Sequence, residues 1–82
     1  MTPLLDILAL TRQGKWEDAH NLVQLDNSSS AAWLHALLHE QEGDLENAEY
    51  WYEKSGRNFR SRGTLNEELD ALETSLRDSE AR

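Results

Sequence analysis

Two hexapeptides constrain the fold of this chain more than any other feature. GKWEDA (Gly14 to Ala19) and GDLENA (Gly43 to Ala48) share glycine, glutamate and alanine at matching places, offset by 29 residues. On both sides of each glycine the apolar residues recur at spacings of three and four, the helical period. Glycine takes the left-handed conformation that closes a helix without a Cβ penalty, so each hexapeptide reads as the turn of a helical hairpin. With one proline and four glycines, and a sequence otherwise rich in leucine, alanine and glutamate, little in the chain opposes helix. The expected fold is all-α: two stacked antiparallel hairpins followed by a C-terminal amphipathic helix. The pattern places a hairpin over 3–26, a second over 29–56, a loop over 57–63 and the last helix over 64–80, all in one domain.

Thr2-Pro3 reads as a helix start, with Thr2 as cap and Pro3 in the first turn. Leu4, Leu5, Ile7, Leu8 and Leu10 then come too densely for one stripe, which predicts a first helix covered on two sides. Trp16, Ala19, Leu22 and Val23 mark a second helix over Lys15 to Leu25. Asp26 to Ser30 is a loop of capping residues, and one of its serines should cap a third helix over about Ala31 to Glu42. Asp44 caps a fourth, which carries Leu45, Ala48, Trp51, Tyr52 and Ser55. The string GRNFRSRG shows no period and reads as a connection. Thr64 and Glu67 then form a capping-box pattern, opening a helix with Leu65, Leu69, Leu72 and Leu76 on one stripe.

Composition narrows the function classes. The 82 residues include no cysteine, so no disulfide supports a core near the lower size limit for marginal stability. A formal charge of −8 repels duplex nucleic acid and anionic membrane surfaces on average. The opening segment is apolar but lacks a basic leader region and is interrupted by Asp6, and no stretch approaches the roughly 18 apolar residues of a membrane span. The expectation is a soluble, cytoplasmic protein. Lys54, Arg57, Arg60 and Arg62 make one local basic patch, expected to be a solvated connection or to pair with the acidic last helix.

The second hairpin resembles a tetratricopeptide or Sel1-like repeat. Ala36 stands at the small position of its first helix, Gly43 at the turn, and Ala48, Tyr52 and Ser55 at the small, aromatic and small positions of its second. WYEKS (Trp51 to Ser55) is similar to the end of a Sel1 repeat, and WLHALLHEQEGDLENAEYWY is also similar to a stretch of small bacterial proteins with no known activity. The first hairpin departs from the pattern at Ile7 and Asp26. The 29-residue offset is shorter than the family's usual repeat, and the proline that often closes a unit is missing. The resemblance implies a protein-interaction role and a concave groove lined by Leu4, Leu8, Thr11 and Arg12 from the first helix and Trp33, Leu37, Glu40 and Gln41 from the third. It also sends His35 and His39 between the helices of their own hairpin.

His35, His39 and Glu42 share one face of a helix, a geometry that can hold a divalent metal. The pattern lacks the glutamate directly after the first histidine that zinc hydrolases use, because Ala36 is there. The expectation is therefore structural histidines bonded to groups such as Asn47 or Tyr50, with no metal and no cofactor; His20, a further possible ligand, cannot be placed from sequence. No glycine-flanked nucleophile and no phosphate-binding glycine loop occurs. Trp16 and Trp51 are expected in the core. Trp33, beside Leu37, is either a groove anchor or packed on another part of the chain. The reading that follows is a non-enzymatic module that binds a protein helix or peptide, or a second copy of itself, through the apolar groove. The alternative is a metal-binding protein or small hydrolase using His35, His39 and Glu42.

Overall fold

The computed structural model describes residues 3–80, and Thr2, the expected first cap, lies outside them. Five α-helices follow in order: α1 (Leu4–Arg12), α2 (Trp16–Val23), α3 (Ser29–Gln41), α4 (Leu45–Ser55) and α5 (Leu65–Glu80), with a 3-10 turn at Phe59–Ser61 before α5. No strand occurs among the described residues. The observed helix ends lie within a few residues of the expected ones.

The helix boundaries follow from local chemistry. At the α3–α4 turn Gly43 has φ +87°, and the N–H groups of Gly43 and Asp44 return to the carbonyls of Glu40 and His39. Those two bonds satisfy orphan carbonyls at the end of α3, and they require the left-handed residue between them. The same pair of bonds ends α1, where Gly14 and Lys15 return to Thr11 and Leu10, so the repeated glycines do the same work. Ser28 is the serine that caps α3, accepting from the Ala31 N–H at 3.1 Å. Asp44 caps α4 through Asn47 N–H at 3.2 Å. Both arms of the expected capping box form: Thr64 Oγ1 accepts from Glu67 N–H, and Glu67 Oε1 accepts from Thr64 N–H.

The two hairpins pack through α3, which lies against α1, α2, α4 and α5. Its residues from Ala31 to His39 are all buried, which is why it shows no single apolar face. Ala19 and Ala48, the alanines of the repeat, are both fully buried and let the second helix of each hairpin approach closely. The helix α5 turns back across α1 and α3 of its own chain, adding Leu69 and Leu72 to a core of Ile7, Leu8, Leu34, Leu37, Leu38 and Tyr52. No helix among the described residues is long and apolar enough to cross a membrane.

Candidate functional site

The face expected to form a groove is where α5 lies. Leu8 and Leu37 are buried, Trp33 is 6% exposed, and Leu4 packs on the edge of the same cluster. Polar contacts hold α5 in register along it. Arg12 on α1 donates to Asp70 at 2.8 Å and to Glu73 at 3.2 Å. Glu68 is buried, and its Oε1 accepts from both the Trp33 indole N–H and the Tyr52 hydroxyl at 3.2 Å. Its Oε2 accepts from the Gly63 N–H. Burial and the neighbouring Glu68 and Glu40 carboxylates push the Tyr52 hydroxyl pKa far up, so it stays a donor.

The remaining groove candidates do other things. Glu40 pairs with Arg62 at 3.0 Å, and Gln41 donates to the Thr11 carbonyl at 3.0 Å, joining α3 to α1. Thr11 is itself buried, with its hydroxyl bonded to Ile7 O. The basic connection is more ordered than its sequence suggests. Arg57 lies over the Trp33 ring at 3.6 Å, and Arg62 over Phe59 at 3.8 Å. Arg62 pairs with Glu40 of α3, whereas Arg57 lies 4.0 Å from Glu68 of α5, so the connection pairs with the last helix in part. Glu68 is the residue that sequence reasoning missed: a carboxylate one step from the leucine stripe reads as solvent-facing until its aromatic donors are known.

On the opposite side of α3 the structure corrects the expected surroundings of the histidines. Neither Asn47 nor Tyr50 is their partner. His35 Nε2 lies 3.1 Å from His20 Nε2 on α2, and His39 Nδ1 lies 2.8 Å from Glu42 Oε2. The reason is that α3 is shared: α2 packs along one flank and α4 along the other, and the His35–His39 edge faces the gap between them. Trp16 and Trp51 are only half-buried, because they flank this gap instead of entering the core. Trp16 stacks on His20 at 4.5 Å and Trp51 stacks on His35 at 3.9 Å between ring centroids. The Trp16 indole N–H donates to Leu38 O at 2.6 Å, which fixes that wall.

All three histidines of the chain therefore converge. Each presents a ring nitrogen within 4.8 Å of those of the other two. Burial, then the neighbouring His20 and His39, pushes the His35 pKa down to about 4. Burial and His39 lower His20 as well, against a smaller opposing effect of Glu42. Beside the cluster a cleft of about 670 Å³ opens between α2 and α4, with Val23, Ala32, His35, Trp51 and Lys54 among its lining. His39, Glu42 and Asp44 form a second convergence, but Asp44 is occupied as the α4 cap. No protein-family model matches the chain, and neither curated proteins nor solved structures yield a match.

Proposed function

We propose that this chain is a non-enzymatic helix-binding module of the tetratricopeptide type, with α5 as a tethered occupant of its own groove. One observation carries the reading: an amphipathic helix lies along the surface formed by Leu4, Leu8, Trp33 and Leu37, with Arg12 and Trp33 contributing specific polar contacts. A groove that takes one leucine-striped, acidic helix has the chemistry to take another from a partner protein or a second copy of this chain. The matching glycine turns and buried alanines of the two hairpins support the repeat resemblance. The connection at 57–63 tethers α5 to the groove, held there by Arg57 on the Trp33 ring and Arg62 on Glu40.

The test is exchange in trans. A chain ending at Gly63 is mixed with a synthetic peptide of residues 64–82, with the tryptophan fluorescence of a Trp16→Phe, Trp51→Phe background, which leaves Trp33 alone, as the signal. The expected result is saturable binding at micromolar peptide that restores native helicity, and loss of both effects when Leu69 and Leu72 of the peptide are alanine. A shortened chain that stays folded and ignores the peptide overturns the reading. So does binding that is indifferent to those two leucines.

A further inference from the structure

The histidine cluster lies outside the groove and is not needed to explain it. His20 comes from α2, while His35 and His39 come from successive turns of α3, so two helices are joined by three imidazoles. The His20 and His35 Nε2 atoms are 3.1 Å apart. Two ligands of a tetrahedral ion, each about 2.0–2.1 Å from it, sit roughly 3.4 Å from one another. That pair is already near ligand spacing, and a ring nitrogen of His39 lies within 4.8 Å of both.

The surroundings orient the rings. His39 donates Nδ1–H to Glu42, which leaves Nε2 as its free lone pair, the carboxylate–histidine arrangement that raises ligand basicity at metal centres. The Gln24 side-chain Nε2 lies 2.7 Å from His20 Nδ1 and donates to it, so His20 Nε2 is freed for a metal when the amide turns over and its oxygen accepts Nδ1–H instead. Trp16 and Trp51 stack on His20 and His35 and fix their planes. His20 is partly exposed, and the adjoining cleft at His35 provides an entry path.

We propose that His20, His35 and His39 form a three-imidazole site for a divalent transition metal, with zinc as the occupant and a fourth position open to water or an added ligand. Three neutral nitrogens suit zinc and its neighbours and do not suit calcium or magnesium, which take oxygen. Glu42 is a positioning residue that acts through His39.

The experiment uses the untagged, metal-free full chain, titrated with zinc chloride in a non-chelating buffer at pH 7.4. Cobalt(II) serves as the spectroscopic probe. The expected result is one zinc per chain, a raised Tm at saturation, and the visible bands of tetrahedral cobalt. His20→Gln, checked for native helicity by circular dichroism, weakens zinc at least tenfold, and Glu42→Gln weakens it by roughly 10-fold or more. The Glu42 variant keeps the test decisive if loss of His20 disturbs packing. Absence of saturable binding below about 1 mM zinc overturns the proposal. Zinc binding unchanged in both variants, with octahedral cobalt, also overturns it, because the ion then sits on the acidic surface.

Discussion

Glu68 shows how one side chain ties the C-terminal helix to the core. It is 8% exposed, and its oxygens serve Trp33, Tyr52 and Gly63, with the Arg57 guanidinium 4.0 Å away. Removing a buried acceptor leaves its donors unsatisfied, and each bond to a charged group contributes about 1.5–3 kcal/mol. Glu68→Ala should therefore destabilise the chain by about 3 kcal/mol in urea unfolding, whereas Glu68→Gln, which can still accept from Trp33 and Tyr52, should lose less than half of that. Equal losses would mean that the carboxylate fills space and the bonds are incidental. His35 gives a pH signature of opposite chemistry. Its folded pKa of about 4 lies below the ordinary value of 6.5, so between those limits the unfolded chain binds more protons. Stability then falls as pH drops from about 6.5 towards 4, and the depressed pKa of His20 acts in the same direction. Urea midpoints measured with chelator present should decline across that window, and His35→Gln should flatten the slope.

The hairpins were legible in the sequence because their signals are local. Glycine at a left-handed turn, a serine or aspartate cap, and the pair Thr64 and Glu67 each act within a few residues, and each forms as the sequence predicts. The histidine cluster was only partly legible. The i, i+4 spacing put His35 and His39 on one edge of α3, but the approach of His20 depends on how α2 packs, which no spacing encodes. The 3-10 turn was invisible for a similar reason, since Phe59 is ordered by an edge contact with the Tyr52 ring on α4, which no periodicity in the connection encodes. The C-terminal helix shows both cases: its leucine stripe and the groove of Leu4, Leu8, Trp33 and Leu37 that it matches were plain, but whether that groove is its own chain's or a second copy's was not. Leu72 is fully buried and Leu69 nearly so, while Leu65 and Leu76 at the ends of the stripe are half-buried. A leucine deleted to alanine in a packed core costs about 2–5 kcal/mol, with the least relaxed sites at the top of that range. Leu72→Ala should fall in it, and Leu76→Ala should cost clearly less, as read by thermal unfolding. If the two are equally mild, α5 rests on the groove without being packed into it.

At the scale of the whole molecule the question is whether α5 serves its own chain or a neighbour. The described chain has a Cα radius of gyration of 11.5 Å, close to the roughly 11.7 Å expected of a compact chain of this length. A helix reaching out to a second copy would raise that value. The two apolar stripes cover each other within one chain, and the large apolar residues left exposed among the described residues are Leu25, just past the end of α2, and Leu45 and Tyr50, five positions apart on α4. A formal charge of −8 adds repulsion between copies, strongest at low salt. The expected state is a monomer. Light scattering coupled to size exclusion should return the chain mass of 9.4 kDa from micromolar to near-millimolar concentration, in low and physiological salt alike. Exchange of α5 between chains remains compatible with the proposed groove, and it has a distinct signature. It would give a slowly interconverting dimer of unchanged helix content, favoured by refolding at high concentration and by shortening the 57–63 connection below what the native path needs. A dimer that forms rapidly and persists at low micromolar concentration would show that α5 belongs across an interface, and that the closed chain is not the state in solution.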